Sequence, residues 1–349
     1  DVNEIKKFCE DVFTVDRKQQ WAWQNIVKTG TSTYPFLLVG HTLPEMKAKI
    51  VEVLMQKTFD VIHVETFYVF QNVPKTYVPI VLVEHNIEYL VYQRYANNAK
   101  IYVRPLLYAD VFKIKYWEEK FWKKATALVA VSKDEAQKMK RPDVFVVPNG
   151  VDIEKFKMQS TKLKFNRKEK KVLFIGDFKW IQNRQSVEWI LKYIWPVIRS
   201  QVAVHGLDVK LWIVGRNIPD SLKSLGDETV IFDENAPKET ERIFQQSTVL
   251  LAPIKVGGGT QYKILEAMAS GVPVITTTLG AEGIDCNQRK DLLIANTSES
   301  IAQKTSAVLQ DQEQYEILAR NGRDCIEKKY SWELIASKLE KVYQSVVAN

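Results

Sequence analysis

At 349 residues, 46% hydrophobic and 26% charged, the chain is long enough for two domains with their own cores and needs neither disulfide nor metal to hold them. No apolar run reaches the roughly 18 residues of a membrane span, no basic–apolar–small leader opens the sequence, and no zinc-knuckle, RNP-type or helix-turn-helix signature accompanies the net charge of +7. That charge suits phosphate-bearing ligands, polyanions or an anionic membrane surface, and no nucleic-acid partner is expected. Cys9, Cys286 and Cys325 are odd in number and far apart. They match neither a zinc spacing nor a disulfide framework, which predicts a reducing cytoplasm.

In chain order, the opening residues read as a helix running into a strand at Val12–Val15, as if a further N-terminal segment preceded Asp1. A helical pattern follows over Pro44–Gln56, then short β-branched runs at Val61–Glu65, Ile80–Glu84, Ala127–Val131 and Val144–Val147. Between the second and third, Phe112–Lys124 mixes aromatics with lysines. It reads as a core helix with its lysines in water, since Glu118 and Glu119 interrupt the basic face, with docking on an anionic membrane surface as the second reading. Pro148-Asn149-Gly150-Val151-Asp152 marks a break, and a lysine-rich, apolar-poor stretch from Lys155 to Lys171 follows it. Further runs come at Val172–Gly176, Val209–Val214, Val230–Phe232, Val249–Ala252 and Val274–Thr277, separated by helical patterns at Ser186–Ile194 and Tyr262–Ala269. Apolar runs of about five residues alternating with helices predict parallel sheets buried on both faces. The expectation is an α/β chain with a first domain over 1–154 and a second over 155–331. A last helix, capped by Ser331, begins at Trp332.

The segment from Ala252 to Ala269 carries the most chemistry. A buried strand ends, a loop holds Gly257, Gly258 and Gly259, and a helix begins near Thr260. Glycines let backbone N–H groups approach a ligand, and a helix N-terminus adds donors and positive potential, a combination that favours phosphate. Lys263 can add a full charge, and Glu266, about one turn on, can accept two hydrogen bonds from a ribose diol. The bland alternative is a glycine-rich turn beside a solvated Lys263 and Glu266. Three glycines at the end of a buried strand weigh against it, because open α/β sheets bind ligands there. No Walker A loop is present, so the residues themselves predict a nucleotide or phosphate site in the second half.

The run Gly257–Ala269, with Ser270-Gly271-Val272-Pro273-Val274-Ile275 and Gly280-Ala281-Glu282-Gly283, closely resembles the nucleotide-sugar signature of family-4 retaining glycosyltransferases in their Gly-Gly-Gly-Thr branch. Phe174-Ile175-Gly176 ahead of Trp180 and Asn183, Ile213-Val214-Gly215, and the Pro148–Asp152 segment match as well. So do Phe59–Glu65 and Glu84–Tyr89 in the first half. The resemblance covers nearly the whole chain. It implies a GT-B fold, two Rossmann-like doubly wound domains with a cleft between them, the last helix (332–349) packing back on the first. Three departures stand out. Gly258 occupies the place of the first carboxylate of Glu-x7-Glu, Gln261 stands where the branch often has Arg, and the loop Asp177–Asn183 lacks the usual Arg/Lys pair. Lys263, with Lys179, then carries more of the diphosphate charge. The family's first strand and glycine-rich acceptor loop are not in this sequence.

What the resemblance implies is transfer of a hexosyl group from a UDP- or GDP-sugar to a glycan or lipid-linked acceptor, with retention. The leaving diphosphate gains charge in the transition state, a role for Lys263 and for the N–H groups of Gly259 and Thr260. No Asp-x-Asp occurs, so neither metal nor other cofactor is expected. By resemblance His85 reaches the transferred sugar, and its place between Glu84 and Asn86 at a strand end favours that over a structural histidine. His63 reads as structural. Glu282 is either near the donor or a solvated loop carboxylate. Asn183 bonds phosphate or caps a helix from Ser186, capping being the stronger. The expected donor contacts are thus Gly176, Asn183, Gly258, Gly259, Thr260, Gln261, Lys263, Glu266 and Glu282. The expected setting is polysaccharide biosynthesis in the cytoplasm, with possible peripheral association at the inner membrane face. The rival is a catalytically degenerate nucleotide-sugar-binding protein or partner subunit.

Overall fold

The computed structural model describes residues 2–348, apart from 18, 238 and 257–258. It divides into two compact units, one of residues 1–129, 141–145 and 342–349, the other of 130–140 and 146–341. The first holds a four-stranded sheet in the order β1 (Ile62–Glu65), β2 (Ile80–Glu84), β3 (Ala127–Ala130), β4 (Val144–Val146). β1 and β2 run parallel, with Glu65 opposite Val83. β3 is buried along its whole length, as its unbroken apolar run requires.

Three helices of this unit matter below: α1 (Pro44–Gln56), α2 (Glu88–Asn98) and α3 (Arg104–Lys124). On α3, Val111, Ile114, Phe121 and Trp122 are buried while Phe112 and Tyr116 are exposed. Glu118 belongs to the buried face and does not interrupt the lysine face. Its carboxyl accepts the backbone N–H groups of Glu88 (2.8 Å) and Tyr89 (3.1 Å), the unpaired donors at the start of α2. Val12–Val15 is not a strand, and Phe13 is half exposed. Among the described residues no strand pairs with this segment.

The second unit is built on a six-stranded sheet in the order β10-β9-β8-β5-β6-β7. Its strands are β5 (Glu169–Ile175), β6 (Asp208–Val214), β7 (Val230–Asp233), β8 (Val249–Ala252), β9 (Val274–Thr276) and β10 (Leu293–Ile294). Its strands pair in parallel throughout the described residues. The chain runs outward from β5 through β6 to β7, then returns to the other side of β5 to lay down β8, β9 and β10. The crevice between β5 and β8 is therefore the topological switch point, where the loops leaving two adjacent strands part company.

The helices that frame this crevice are α4 (Ile181–Trp189) and α5 (Tyr262–Ala269), with α6 (Gln312–Lys329) behind and α7 (Trp332–Val347) last. α5 buries Ile264, Leu265, Ala267, Met268 and Ala269 against the sheet. α4 begins five residues before the expected Ser186, and a π-helical turn over Ile190–Ile194 continues it. The lysine-rich stretch is not a solvated linker. Lys164 is buried and donates to the carbonyls of Phe244 and Ser270, and Lys170 donates to that of Leu309. Ser331 does cap α7, accepting the N–H of Leu334 at 3.4 Å.

A bond the spacing did not announce joins Cys286 to Cys325, with Cα atoms 6.1 Å apart. It overturns the reading of the cysteines as unpaired and removes the premise for a reducing compartment. Spacing failed because the partners lie 39 residues apart and meet only once α6 packs beside the loop after β9.

Candidate functional site

The switch point gathers most of the residues singled out from the sequence. β5 ends at Ile175, and Gly176 starts the loop into α4. A Cβ at Gly176 would stand 2.6 Å from the Asn183 amide nitrogen, so only glycine lets that side chain lie across the strand end. Asn183 is buried inside the first turn of α4, not at its N-cap. Its amide donates to the carbonyl of Asp177 (2.8 Å), and its oxygen accepts from Lys263 Nζ at 2.9 Å. The capping role is thereby excluded, and two motifs 80 residues apart meet side chain to side chain.

β8 ends at Ala252 and leads through the glycine loop into α5. Gly258 lies outside the described residues. Gly259 has φ +75°, a left-handed conformation that favours glycine. Gln261 serves as N-cap without a side-chain capping bond, and its amide turns back to the carbonyl of Gly259 at 3.4 Å. The Thr260 hydroxyl is buried, with no hydrogen-bond partner among the described residues. The loop after β9 closes beside it: a Cβ at Gly283 would lie 3.1 Å from Thr260 Oγ1. Glu282, in that loop, pairs with Lys138 at 3.1 Å.

Lys263 lies 4.5 Å from the ring centroid of Phe174, and burial pulls its pKa down to about 8, with Glu266 pulling the other way. Burial pushes Glu266 up to about 7 against the opposing charges of Lys155 and Lys263. An ammonium and a carboxyl, both partly buried, thus stand three residues apart on one helix with titration points shifted toward neutrality. A cavity of about 1030 Å³ opens farther along the same sheet edge, past β9. Trp189, Lys255, Thr277 and Glu282 stand on its wall, whereas Lys263 and Glu266 do not. Among the described residues, metal-ligating side chains come together at Cys286, Asp291 and Cys325, where the two sulfurs are bonded to each other.

In the first unit, His85 follows β2, and its Nε2 bonds Glu65 Oε2 at 2.7 Å. His63, read as merely structural, lies within β1 and bonds the other oxygen of Glu65 at 2.7 Å; its Nδ1 meets Tyr343 Oη at 2.6 Å. Sequence reasoning missed Glu65 and Tyr343. The His-x-Glu alternation of β1 was the available signal for the first, because residues two apart share a strand face. Nothing local announced Tyr343, 280 residues from His63.

Two family models match the chain, "Glycosyltransferase Family 4" over residues 10–155 and "Glycosyl transferases group 1" over 169–311. The chain is 24% identical over 213 residues to phosphatidyl-myo-inositol mannosyltransferase of Mycobacterium leprae. That alignment covers 59% of this chain and 55% of the relative, so the chain spans little more than half the length of that curated relative. Among solved structures, sucrose-phosphate synthase from Thermosynechococcus elongatus superposes with a TM-score of 0.68 at 17% identity, covering 88% of this chain and 78% of that one. Anabaena HepE in complex with UDP-glucose gives 0.60 at 15% identity, covering 86% and 82%.

Proposed function

We propose that this chain, which belongs to the group 1 and family 4 glycosyl transferases, transfers a hexosyl group from a UDP- or GDP-sugar to a glycan or lipid-linked acceptor. Its fold is GT-B, with a Rossmann-like parallel sheet in each unit. The observation that carries the reading is the contact of Lys263 with Asn183 at the switch point, beside the unpaired hydroxyl of Thr260. A diphosphate in this crevice receives the charge of Lys263, the N–H groups at the start of α5 and the Thr260 hydroxyl. Glu266 accepts from the ribose hydroxyls. As the anomeric C–O bond breaks, charge accumulates on the leaving diphosphate, and donors already aimed at it stabilise the transition state more than the ground state. On this reading Gly176 and Asn183 shape the strand end, Gly258 to Gln261 form the phosphate loop, and Glu282 flanks it. His85 meets the sugar. Retention, independence from metal and peripheral membrane association belong to the same proposal; the resemblance supports the first, and the absence of Asp-x-Asp from the sequence supports the second.

The degenerate-binder reading keeps two observations in its favour, the glutamine at position 261 and the loop Asp177–Asn183 without the Arg/Lys pair. A thermal-shift panel of UDP, GDP, ADP and their sugar conjugates, with and without EDTA, tests the donor site. The expected result is a shift with one nucleotide, unchanged by EDTA. No shift with any of them overturns the assignment.

A further inference from the structure

Four polar side chains of the first unit form one chain of hydrogen bonds, Tyr343 to His63 to Glu65 to His85, over distances of 2.6, 2.7 and 2.7 Å. Glu65 ends β1, His85 follows the adjacent parallel β2, His63 lies two residues before Glu65 within β1, and Tyr343 comes from α7, at the far end of the sequence. Each oxygen of Glu65 takes one imidazole. Burial alone would raise this carboxyl, but the bonds from His63 and His85 outweigh it and hold the pKa at about 2. Glu65 is therefore an acceptor at any working pH, and both Nε2 atoms must carry the proton. The other nitrogen of the His63 ring, Nδ1, meets the Tyr343 hydroxyl. Each oxygen of Glu65 thus receives the Nε2–H of one ring.

The backbone next to Glu65 is held unusually. Thr66 has φ +73°, a conformation that a β-branched residue adopts at a cost of about 1–3 kcal/mol. The N–H of Thr66 is tied to the carbonyl of Val83 at 2.8 Å, and the next N–H, that of Phe67, goes to Glu84 at 3.3 Å. The strained residue thus fixes the end of β1 against β2 where Glu65 must face His85.

We infer that Glu65 is a positioning residue for His85, setting its ring orientation and its Nε2–H tautomer, and that Tyr343 of α7 anchors the same chain through His63. The inference rests on the reading that His85 works on the transferred sugar. In the neutral Nε2–H tautomer the lone pair sits on Nδ1, so Glu65 determines which ring nitrogen accepts and which donates. A carboxylate that orients an imidazole does this in other enzymes without taking the proton itself.

The test is nitrogen NMR of the histidines in the full chain, paired with steady-state kinetics. In the wild type both His63 and His85 should show the Nε2–H tautomer before any donor is added. Glu65→Gln should mix the His85 tautomers and lower kcat about 10–100-fold, as loss of an orienting partner does elsewhere, while leaving the donor KM nearly unchanged. Tyr343→Phe deletes a single hydroxyl and keeps the test alive where Glu65→Gln does not fold; it should shift the His63 Nδ1 resonance and lower kcat by a few-fold. An inactive His85→Ala beside a Glu65→Gln with wild-type tautomers and kcat overturns the positioning role alone. Undiminished turnover in His85→Ala overturns the reading beneath it as well.

Discussion

Lys263 and Glu266 stand three residues apart on α5, and each pays for burial in its titration. Lys263 is charged below about 8 and neutral above it. If its ammonium binds the diphosphate, donor affinity should hold up to that pH and then fall by up to about tenfold per unit. Calorimetry from pH 7 to 10 reads this directly. A flat profile contradicts the role, as does a Lys263→Met variant that keeps the wild-type slope. Glu266→Ala should weaken nucleotide-sugar binding by about 1–3 kcal/mol, the loss expected for a hydrogen bond to a charged group. Unchanged affinity in the same instrument would sink the ribose assignment. At this scale the placement of Lys263 and Glu266 about one turn apart on a single helix was legible, because a helix has a fixed period. The state of Asn183 could not. Its choice between capping and Lys263 depended on where α4 begins, and helix starts are set by tertiary contacts as much as by local residues.

The elements carry two liabilities of their own. Cys286 closes the loop after β9 onto Cys325 of α6, at a sequence separation of 39. The loop-closure model gives such a bond about 4 kcal/mol. Reductant, or Cys286→Ser, should therefore lower the unfolding free energy of the second unit by that amount, read from the fall of its urea midpoint multiplied by the m-value. Thiol titration of the unfolded, unreduced chain should count one cysteine, Cys9. Three reactive thiols would refute the bond. In the first unit burial raises Glu88 to about 7 from an ordinary 4.5, against a hydrogen bond from Asn86 and the charge of His85. A folded pKa above the unfolded one means that this contribution is whole below about 4.5 and lost as the pH climbs to about 7. The first unit should then lose up to about 3 kcal/mol across that window, and Glu88→Gln should flatten the decline. A wild-type slope in that variant contradicts the assignment. Strands such as Ile80–Glu84 and Val249–Ala252 were legible to the residue because a strand buried on both faces is a nearly unbroken apolar run. β10 was not. Two residues, Leu293 and Ile294, are too short a run to carry a period.

For the whole molecule, alternation of strand and helix was enough to predict two parallel sheets, and it says nothing about which strands are neighbours. The order β10-β9-β8-β5-β6-β7 places the loops after β5 and β8 side by side. That adjacency turns Gly176, Asn183, Thr260 and Lys263 from separate motifs into one site. The expected boundary lay between residues 154 and 155; the compact units part near the ends of β3 and β4, and Val147 donates to the carbonyl of Ala130 and Val151 to that of Tyr330, tying that segment to the second unit. No helix among the described residues is long and apolar enough to cross a membrane. The most direct measurement is the release of UDP or GDP from a panel of nucleotide sugars, followed by chromatography in the presence of EDTA, for the wild type and for Lys263→Met. The account predicts release from one nucleotide series by the wild type and a loss of about 100-fold or more in the variant, the scale of removing one charge-stabilising donor. Tight binding of a nucleotide sugar with no release from it, in the presence or absence of acceptor glycans, would contradict it.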